Sequence, residues 1–290
     1  MERNRFLKIG AAAVLTPFVM KLQSLKAWAD EQPHTDLMPA LFVGHGNPMN
    51  AITLNEFHKR WGKMGEELPR PKAILMVSAH WLTRGTYVTA MEHPKTIHDF
   101  GGFPKALFDQ QYPAPGSPEL AKETMSLIKS TAIKDDHQWG LDHGTWSVLL
   151  PMYPKADIPV VQLSIDYYQP PQYHYELAKE LKELRKKGVM IVGSGNIVHN
   201  LGMVDFENKK RFDWAYEFDE KIAGFISKGD HKSVIEYEKL GPVARMAVPT
   251  NDHYLPLLYT LGLQDKKDSV HYFNDTMDAG SVSMRSILLN

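Results

Sequence analysis

The stretch "VMIVGSGNIVHN", residues 189–200, decides the fold, because an apolar run ends there in a glycine-rich turn that leads to a histidine. A short run of valine, isoleucine and methionine followed by glycines predicts a strand that is buried on both faces. Such strands are typical of parallel sheets covered by helices. Three further runs of this kind lie at residues 40–43, 73–77 and 158–163.

Helical patterns alternate with these runs. Ser117 followed by Pro118 is typical of a helix N-terminus, with an N-cap serine and a proline at the first helical position. Helices are predicted at residues 50–61, from 117 onwards, at 173–187 and at 211–228. Alternating strands and helices predict an α/β fold in which a central, largely parallel or mixed sheet is flanked by helices. We expect a single domain over residues 38–290.

Composition excludes several classes of function. The 290 residues contain 33 Lys and Arg against 34 Asp and Glu, so the sequence shows no basic character that would predict nucleic-acid binding. The absence of cysteine excludes disulfides, thiolate metal sites and cysteine nucleophiles. A metal would therefore be bound by oxygen ligands or by some of the 13 histidines.

The first 29 residues resemble an export signal. Arg3, Arg5 and Lys8 precede an uncharged run over 9–20, and residues 27–29 have the A-x-A form of a cleavage site. The run is shorter than the ~20 residues that span a bilayer, so no stable membrane insertion is expected. "RNRFLK" is similar to a twin-arginine signal and predicts an exported, periplasmic protein. The alternative is an amphipathic N-terminal helix on a cytoplasmic protein.

Histidines follow three of the predicted strands. His45 follows the run at 40–43, His80 the run at 73–77, and His199 the run at 189–192. Ligands of open parallel sheets bind beyond the carboxyl ends of the strands, so these side chains are predicted to converge. His143 and His253 fit the same set. Several neutral imidazoles favour Zn, Fe, Cu or Ni, whereas any one of these histidines alone is more often an ordinary hydrogen-bonded polar residue.

The other histidines lack this strand-end context. His98 lies in residues 92–117, a long irregular stretch rich in proline, glycine and aromatic residues that is typical of a lid or a pocket wall. We expect His98 to line the pocket. Most of the rest are predicted to lie at the surface: His34, His58, His93, His137, His174, His231 and His271.

Eight motifs, in order along the chain, resemble one known family. They are "GHGNPMN" (44–50), "SAHW" (78–81), "HDFGGFP" (98–104), "YPAPGSPELA" (112–121), "DHGTWSVL" (142–149), "VVQLSID" (160–166), "GSGNIVHNL" (193–201) and "DHYLPLLYTLG" (252–262). The resemblance is to the 4,5-DOPA dioxygenase extradiol-type family of class III extradiol ring-cleaving dioxygenases, and it covers residues 38–288. It implies one divalent metal per chain, Fe(II) for ring cleavage or Zn(II) in the isolated protein, with a catechol and O2 as substrates.

The resemblance also implies roles for individual residues. His45, His80 and His253 would be metal ligands, and His199 a catalytic base beside the metal or a fourth ligand when zinc is bound. His143 would be a second acid–base histidine. Three protein ligands leave an octahedral metal with positions for two catechol oxygens and dioxygen. From the sequence itself, His98, Asn196 and Trp81 are candidate substrate contacts, with core packing the alternative for Trp81 and shaping of the turn the alternative for Asn196.

Some alternatives stay open at this stage. Asp142 could orient His143 or cap a turn, and Asp252 is predicted to be a helix N-cap rather than an acceptor for His253. A zinc hydrolase that uses a four-histidine site is one alternative function. A non-catalytic metal-binding protein is another. The sequence does not indicate an oligomeric state.

Overall fold

A six-stranded mixed sheet forms the centre of the computed structural model, which describes residues 37–290. The predicted export signal at 1–29 lies outside the described residues. In chain order the strands are β1 (Ala40–Gly44), β2 (Ala73–Ser78), β3 (Leu82–Thr83), β4 (Thr86–Thr89), β5 (Ile133–Asp136), β6 (Val160–Gln162), β7 (Ile165–Asp166), β8 (Val189–Gly195), β9 (Val270–Phe273), β10 (Met277–Asp278), β11 (Val282–Ser283) and β12 (Ser286–Leu289).

Ten α-helices are found in the described part of the chain. They are α1 (Glu56–Glu67), α2 (Lys105–Phe108), α3 (Pro118–Leu127), α4 (His143–Met152), α5 (Pro171–Glu180), α6 (Lys182–Lys186), α7 (Asp213–Ser227), α8 (His231–Ile235), α9 (Pro242–Ala247) and α10 (Leu255–Gly262). Short 3₁₀ turns lie at Pro48–Ala51, Leu201–Met203 and Tyr237–Leu240. None of the helices within residues 37–290 has the length and apolar character needed to cross a membrane.

The sheet has the strand order β6-β2-β8-β1-β12-β9. The first four strands of this order are mutually parallel, whereas β12 is antiparallel to both β1 and β9. The prediction of a largely parallel or mixed sheet within a single α/β domain is therefore confirmed.

Helices cover both faces of the sheet. Leu41 and Ile74 face a core cluster that includes Trp61 of α1, whereas Phe42 and Leu75 face the opposite cluster, which includes residues of α5 and α10. Because both faces are buried, the parallel strands read as uninterrupted apolar runs rather than as alternating patterns.

Two predicted helices are interrupted. The segment predicted as a helix over 50–61 contains a 3₁₀ turn and then α1, which begins only at Glu56 because the Asn55 side chain accepts a hydrogen bond from the His58 amide and caps it. The helix predicted over 173–187 is divided at Leu181 into α5 and α6. The helices predicted from 117 and over 211–228 are confirmed as α3 and α7.

Candidate metal centre

The register of the parallel strands brings His45 and His80 to one edge of the sheet. Gly44 of β1 pairs with Gly195 of β8, and Ser78 of β2 pairs with Ser194 of β8. The His45 amide donates to the Gly195 carbonyl at 3.1 Å, so the hydrogen bonds between β1 and β8 continue as far as His45. Three strands thus end almost level, and the residues that follow them share the same space.

Helix termini and a loop supply the other three histidines. His143 is the first residue of α4, which Asp142 caps by accepting the Thr145 amide. The carbonyl of His253, just before α10, accepts the Asn196 amide at 2.9 Å. His199 follows β8 and is fixed by its own amide, which donates to the Ala247 carbonyl at 2.9 Å.

Glycines in β8 allow α10 to approach the sheet. A Cβ atom added at Gly195 would overlap the His253 carbonyl oxygen, and one added at Gly193 would overlap the Pro256 carbonyl oxygen. Glycine is needed here for close approach of one backbone to another. The "GSG" of the opening stretch therefore positions His253, which lies far from it in the sequence.

We expect Gly195→Ala to lower the free energy of unfolding by about 1–3 kcal/mol, as overpacking does, and to displace His253. Denaturant unfolding of the metal-free protein measures the first effect, and zinc affinity measures the second. Gly224→Ala is the matched control, because a Cβ there meets open space on α7 and should change stability by no more than about 1 kcal/mol, in the stabilising direction. Equal unfolding free energies for the two variants would contradict the assignment.

The five histidine rings form one cluster. The ring centroid of His45 lies 5.1 Å from that of His80, 5.6 Å from that of His143 and 5.2 Å from that of His253. The His80 and His143 centroids are 3.8 Å apart. The ring of His199 stacks on that of His253, with 3.5 Å between centroids and 9° between the planes. His45, His80 and His143 offer nitrogens that all lie within 4.8 Å of one another.

Hydrogen bonds determine the tautomer of His45. Its Nδ1 lies 3.0 Å from Ser194 Oγ, and that hydroxyl donates its own proton to the Gly144 carbonyl at 2.6 Å. Ser194 Oγ therefore accepts a hydrogen bond from His45 Nδ1–H, which leaves the Nε2 lone pair of His45 free. Metal-binding histidines commonly donate the second ring N–H to an oxygen in this way.

Carboxylates lie against the Nδ1 atoms of His80 and His253. Asp99 Oδ2 lies 3.3 Å from His80 Nδ1, and Asp252 Oδ2 lies 3.1 Å from His253 Nδ1. Each carboxylate favours a proton on Nδ1 and so a free lone pair on Nε2. The prediction that Asp252 is a helix N-cap is wrong, because α10 begins at Leu255 without a side-chain cap and Asp252 bonds to His253 instead.

Burial keeps several of these imidazoles neutral. Burial first, and the neighbouring histidines second, hold the pKa of His45 and of His80 well below the usual range. Burial and His253 lower the pKa of His199 to about 3. Burial alone would raise the pKa of Asp99, but contacts with His143 outweigh it and lower that pKa. Neutral imidazoles near pH 7 are the form that binds a metal.

The donor set fits a divalent transition metal. The Nε2 atoms of His45 and His80 lie 3.1 Å apart. Two nitrogens that bind one ion at about 2.0–2.1 Å in adjacent positions are separated by about 3 Å. With the protons on Nδ1, the two Nε2 lone pairs face each other at this distance, and a cation between them would stabilise the arrangement. An all-imidazole set suits Zn, Fe, Cu or Ni rather than Mg or Ca.

The predicted substrate contacts lie at different distances from this centre. His98 belongs to a group of packed rings that leads to the centre. Its ring centroid lies 5.8 Å from that of Phe100, and the Phe100 centroid lies 5.5 Å from that of His143. Asn196 is buried, and its Oδ1 has no hydrogen-bond partner among residues 37–290, so it could accept from a ligand. Trp81 is buried and stacks on Trp139, and no ring contact within the described chain joins it to the five histidines.

Sequence reasoning missed Asp99. Asp99 directly follows His98 in the segment predicted to form a pocket wall, and a carboxylate among aromatic residues was the signal that could have identified it. Asp142, by contrast, caps α4 and accepts from Ser78 Oγ at 2.7 Å, so the carboxylate that lies against His143 is Asp99.

Comparisons with known proteins agree on one family. A model of the LigB family, described as the catalytic LigB subunit of aromatic ring-opening dioxygenase, matches residues 35–283. A protein named 4,5-DOPA dioxygenase extradiol from Escherichia coli K12 is 48% identical over 256 residues, which cover 86% of this chain and 94% of that protein. A protein of the same name from Beta vulgaris is 35% identical over 257 residues, 87% of this chain and 96% of that protein.

A solved structure shares the architecture. The crystal structure of an uncharacterized protein from Escherichia coli K12 superposes with a TM-score of 0.77 at 42% sequence identity. The superposition covers 87% of this chain and 100% of that chain. The likeness thus extends over almost all of the part that carries the histidine cluster.

Proposed function

Because the chain belongs to the LigB family of aromatic ring-opening dioxygenases and is an extradiol dioxygenase, we propose that it opens a catechol ring with O2 at a metal bound by His45, His80 and His253. The observation that carries the metal assignment is the 3.1 Å separation of His45 Nε2 and His80 Nε2. The Nδ1 atom of each histidine faces an oxygen, that of Ser194 for His45 and that of Asp99 for His80. The relatives' names, 4,5-DOPA dioxygenase extradiol, favour a DOPA-like catechol as the substrate.

His253 is the third ligand in this proposal. Its Nδ1 is bonded to a carboxylate of its own, Asp252, as the outer nitrogens of His45 and His80 are bonded to Ser194 or paired with Asp99. His143 is the competing candidate, because its nitrogen lies close to those of His45 and His80. The Nδ1 of His143, however, lies 3.0 Å from Asp99 Oδ2, the oxygen that also faces His80 Nδ1, so His143 has no carboxylate of its own, and we assign it to proton movement rather than to the metal.

The metal we propose is Fe(II), which, when bound by three imidazoles, supplies open coordination positions for the substrate oxygens and one-electron chemistry with O2. His199 accepts the proton that the second catechol hydroxyl must lose, a task for which a neutral histidine is suited. Its ring is nearly parallel to that of His253, and the two ring centroids are 3.5 Å apart. Nitrogens bind metals in the plane of the ring, so this geometry favours a base over a fourth ligand.

The remaining groups shape the substrate site. In this proposal His143, whose ring centroid lies 3.8 Å from that of His80, orients O2 or donates a proton. Phe100 and Phe103, 5.4 Å apart and half-buried, continue the wall beside His143 and offer aromatic surface to a planar ring. Asn196 Oδ1 is free to accept a hydrogen bond from a substrate.

Anaerobic loading with Fe(II), followed by a panel of catechols, tests the proposal. We expect O2 uptake that requires both Fe(II) and a catechol, with one O2 consumed per ring opened and the appearance of a yellow ring-fission product. Protein loaded with Zn(II) is the control and should consume no O2. Ester or amide hydrolysis by the zinc form, without O2 uptake by the iron form, would instead identify a zinc hydrolase. No reaction with either metal would identify a non-catalytic metal-binding protein.

A further inference from the structure

Asp99 directly follows two residues, Ile97 and His98, that are hydrogen-bonded to other parts of the protein. The Ile97 amide donates to the Leu141 carbonyl at 2.7 Å, and Trp146 Nε1 donates to the Ile97 carbonyl at 2.9 Å. In addition, His98 Nε2 lies 2.9 Å from the Gln110 carbonyl oxygen. The position of the Asp99 side chain is thus fixed by its neighbours and not only by its own contacts.

The two carboxylate oxygens of Asp99 contact two histidines. Oδ1 accepts the backbone amide of His143 at 2.9 Å, an amide in the first turn of α4 that has no partner within the helix. Oδ2 lies 3.3 Å from His80 Nδ1 and 3.0 Å from His143 Nδ1. By comparison, Asp252 contacts the ring of a single histidine, His253.

We infer that Asp99 is a positioning residue that couples the two functions of the centre. It holds the Nδ1 tautomer of His80, so that Nε2 is free for the metal, and it holds His143 against the same site through the start of α4. This inference rests on the proposed function, because there His80 is a metal ligand and His143 an acid–base group.

Asparagine at this position tests the coupling with almost no change in shape. One oxygen becomes an NH2 donor. If that donor faces the His143 amide, two donors oppose each other. If it faces the two Nδ1 atoms, each ring must present a lone pair there, and the His80 proton moves to Nε2, where it blocks the metal. Either orientation of the amide breaks one of the two contacts.

The experiment compares Asp99→Asn with Asp252→Asn and Asp230→Asn. The probes are Zn(II) affinity by competition with a chromophoric chelator and the histidine N–H signals of the diamagnetic zinc form by NMR. We expect Asp99→Asn to weaken zinc binding about 10- to 100-fold, to shift the His80 Nδ1–H signal and to lower the turnover of metal-saturated protein. Asp252→Asn should weaken zinc binding but shift the His253 signal and leave that of His80 in place. Asp230 caps α8 outside the centre, so its variant should match the wild type.

Wild-type zinc affinity and an unshifted His80 signal in folded Asp99→Asn would overturn the inference, as would equal effects in Asp230→Asn. If Asp99→Asn does not fold, Asp99→Ala with added formate replaces it, since the carboxylate is 17% exposed and small anions can reach its place. Formate should restore part of the zinc affinity, and folded protein that gains nothing from formate would contradict the assignment. Zinc affinity and the NMR signals do not depend on ring cleavage, so failure of the inference is distinguishable from failure of the proposed function.

Discussion

His45→Ala is expected to yield folded protein that retains no metal after anaerobic Fe(II) loading and shows no catechol-dependent O2 uptake above background. The side chain is buried at the end of β1, and its free Nε2 faces that of His80. Its loss leaves two imidazoles, too few to bind the ion. Metal content after gel filtration and O2 uptake measure the two effects, and circular dichroism reports whether the protein is folded.

The matched control for this loss is another buried histidine. His174 is fully buried on α5, where its Nδ1 lies 3.1 Å from the Tyr259 hydroxyl, and within residues 37–290 its ring contacts Tyr173 and Tyr259 rather than any of the five clustered histidines. His174→Ala removes a buried ring of the same size and should lower stability while leaving one metal per chain. If His45→Ala still binds stoichiometric metal, the assignment of the centre is wrong. In the same assay His253→Ala should lose the metal and His143→Ala should keep it, and the reverse result would make His143 the third ligand.

His199→Ala is expected to keep its Fe(II) and to lose turnover by about 10²- to 10⁴-fold, the usual contribution of a general acid–base group. Three imidazoles remain to bind the ion, and the stacked geometry of His199 on His253 does not direct both rings to one point. Metal content and catechol-dependent O2 uptake are measured on this variant and on His45→Ala after identical loading. If His199 is a fourth ligand when zinc is bound, this variant should weaken zinc binding more than iron binding, since zinc sites commonly have four ligands.

A metal-free His199→Ala protein would show that His199 is an essential ligand. The base would then have to be another group, and His143 would be the first candidate. Wild-type turnover with metal retained would exclude His199 from proton transfer altogether.

The parts of the fold and site that follow from local patterns could be predicted from the sequence. Apolar runs that end in glycine mark strands, and the carboxyl ends of parallel strands meet at one edge, so the convergence of His45, His80 and His199 was predictable from their positions. The bounds of α1 were not, because the Asn55 cap competes with a continuous helical pattern. Propensity alone does not decide such a competition.

Contacts between distant segments could not be predicted. Asp252 stands where an N-cap is common, yet tertiary packing delays α10 and leaves its carboxylate to His253. His174 was predicted to be exposed and is wholly buried, because its partner Tyr259 lies on a helix far along the chain. The contact of Asp99 with His80 depends on the backbone hydrogen bond that joins the nearby Ile97 amide to the Leu141 carbonyl. The burial of His174 depends on a contact between residues far apart in the sequence, and the roles of Asp252 and Asp99 depend on where tertiary packing places the backbone, so a local pattern shows none of the three.

The position of β12 beside β1 has a consequence for the order of events during synthesis. The two neighbours of β1, at residues 40–44, are β8 at 189–195 and β12 at 286–289. β1 therefore leaves the ribosome well before its partner β12, and until then it has an unpaired apolar edge that can pair with other chains. Contacts of such long sequence separation slow folding. A nascent chain halted before residue 286 carries every histidine of the cluster but exposes that edge of β1, so we expect it to aggregate rather than to bind metal productively.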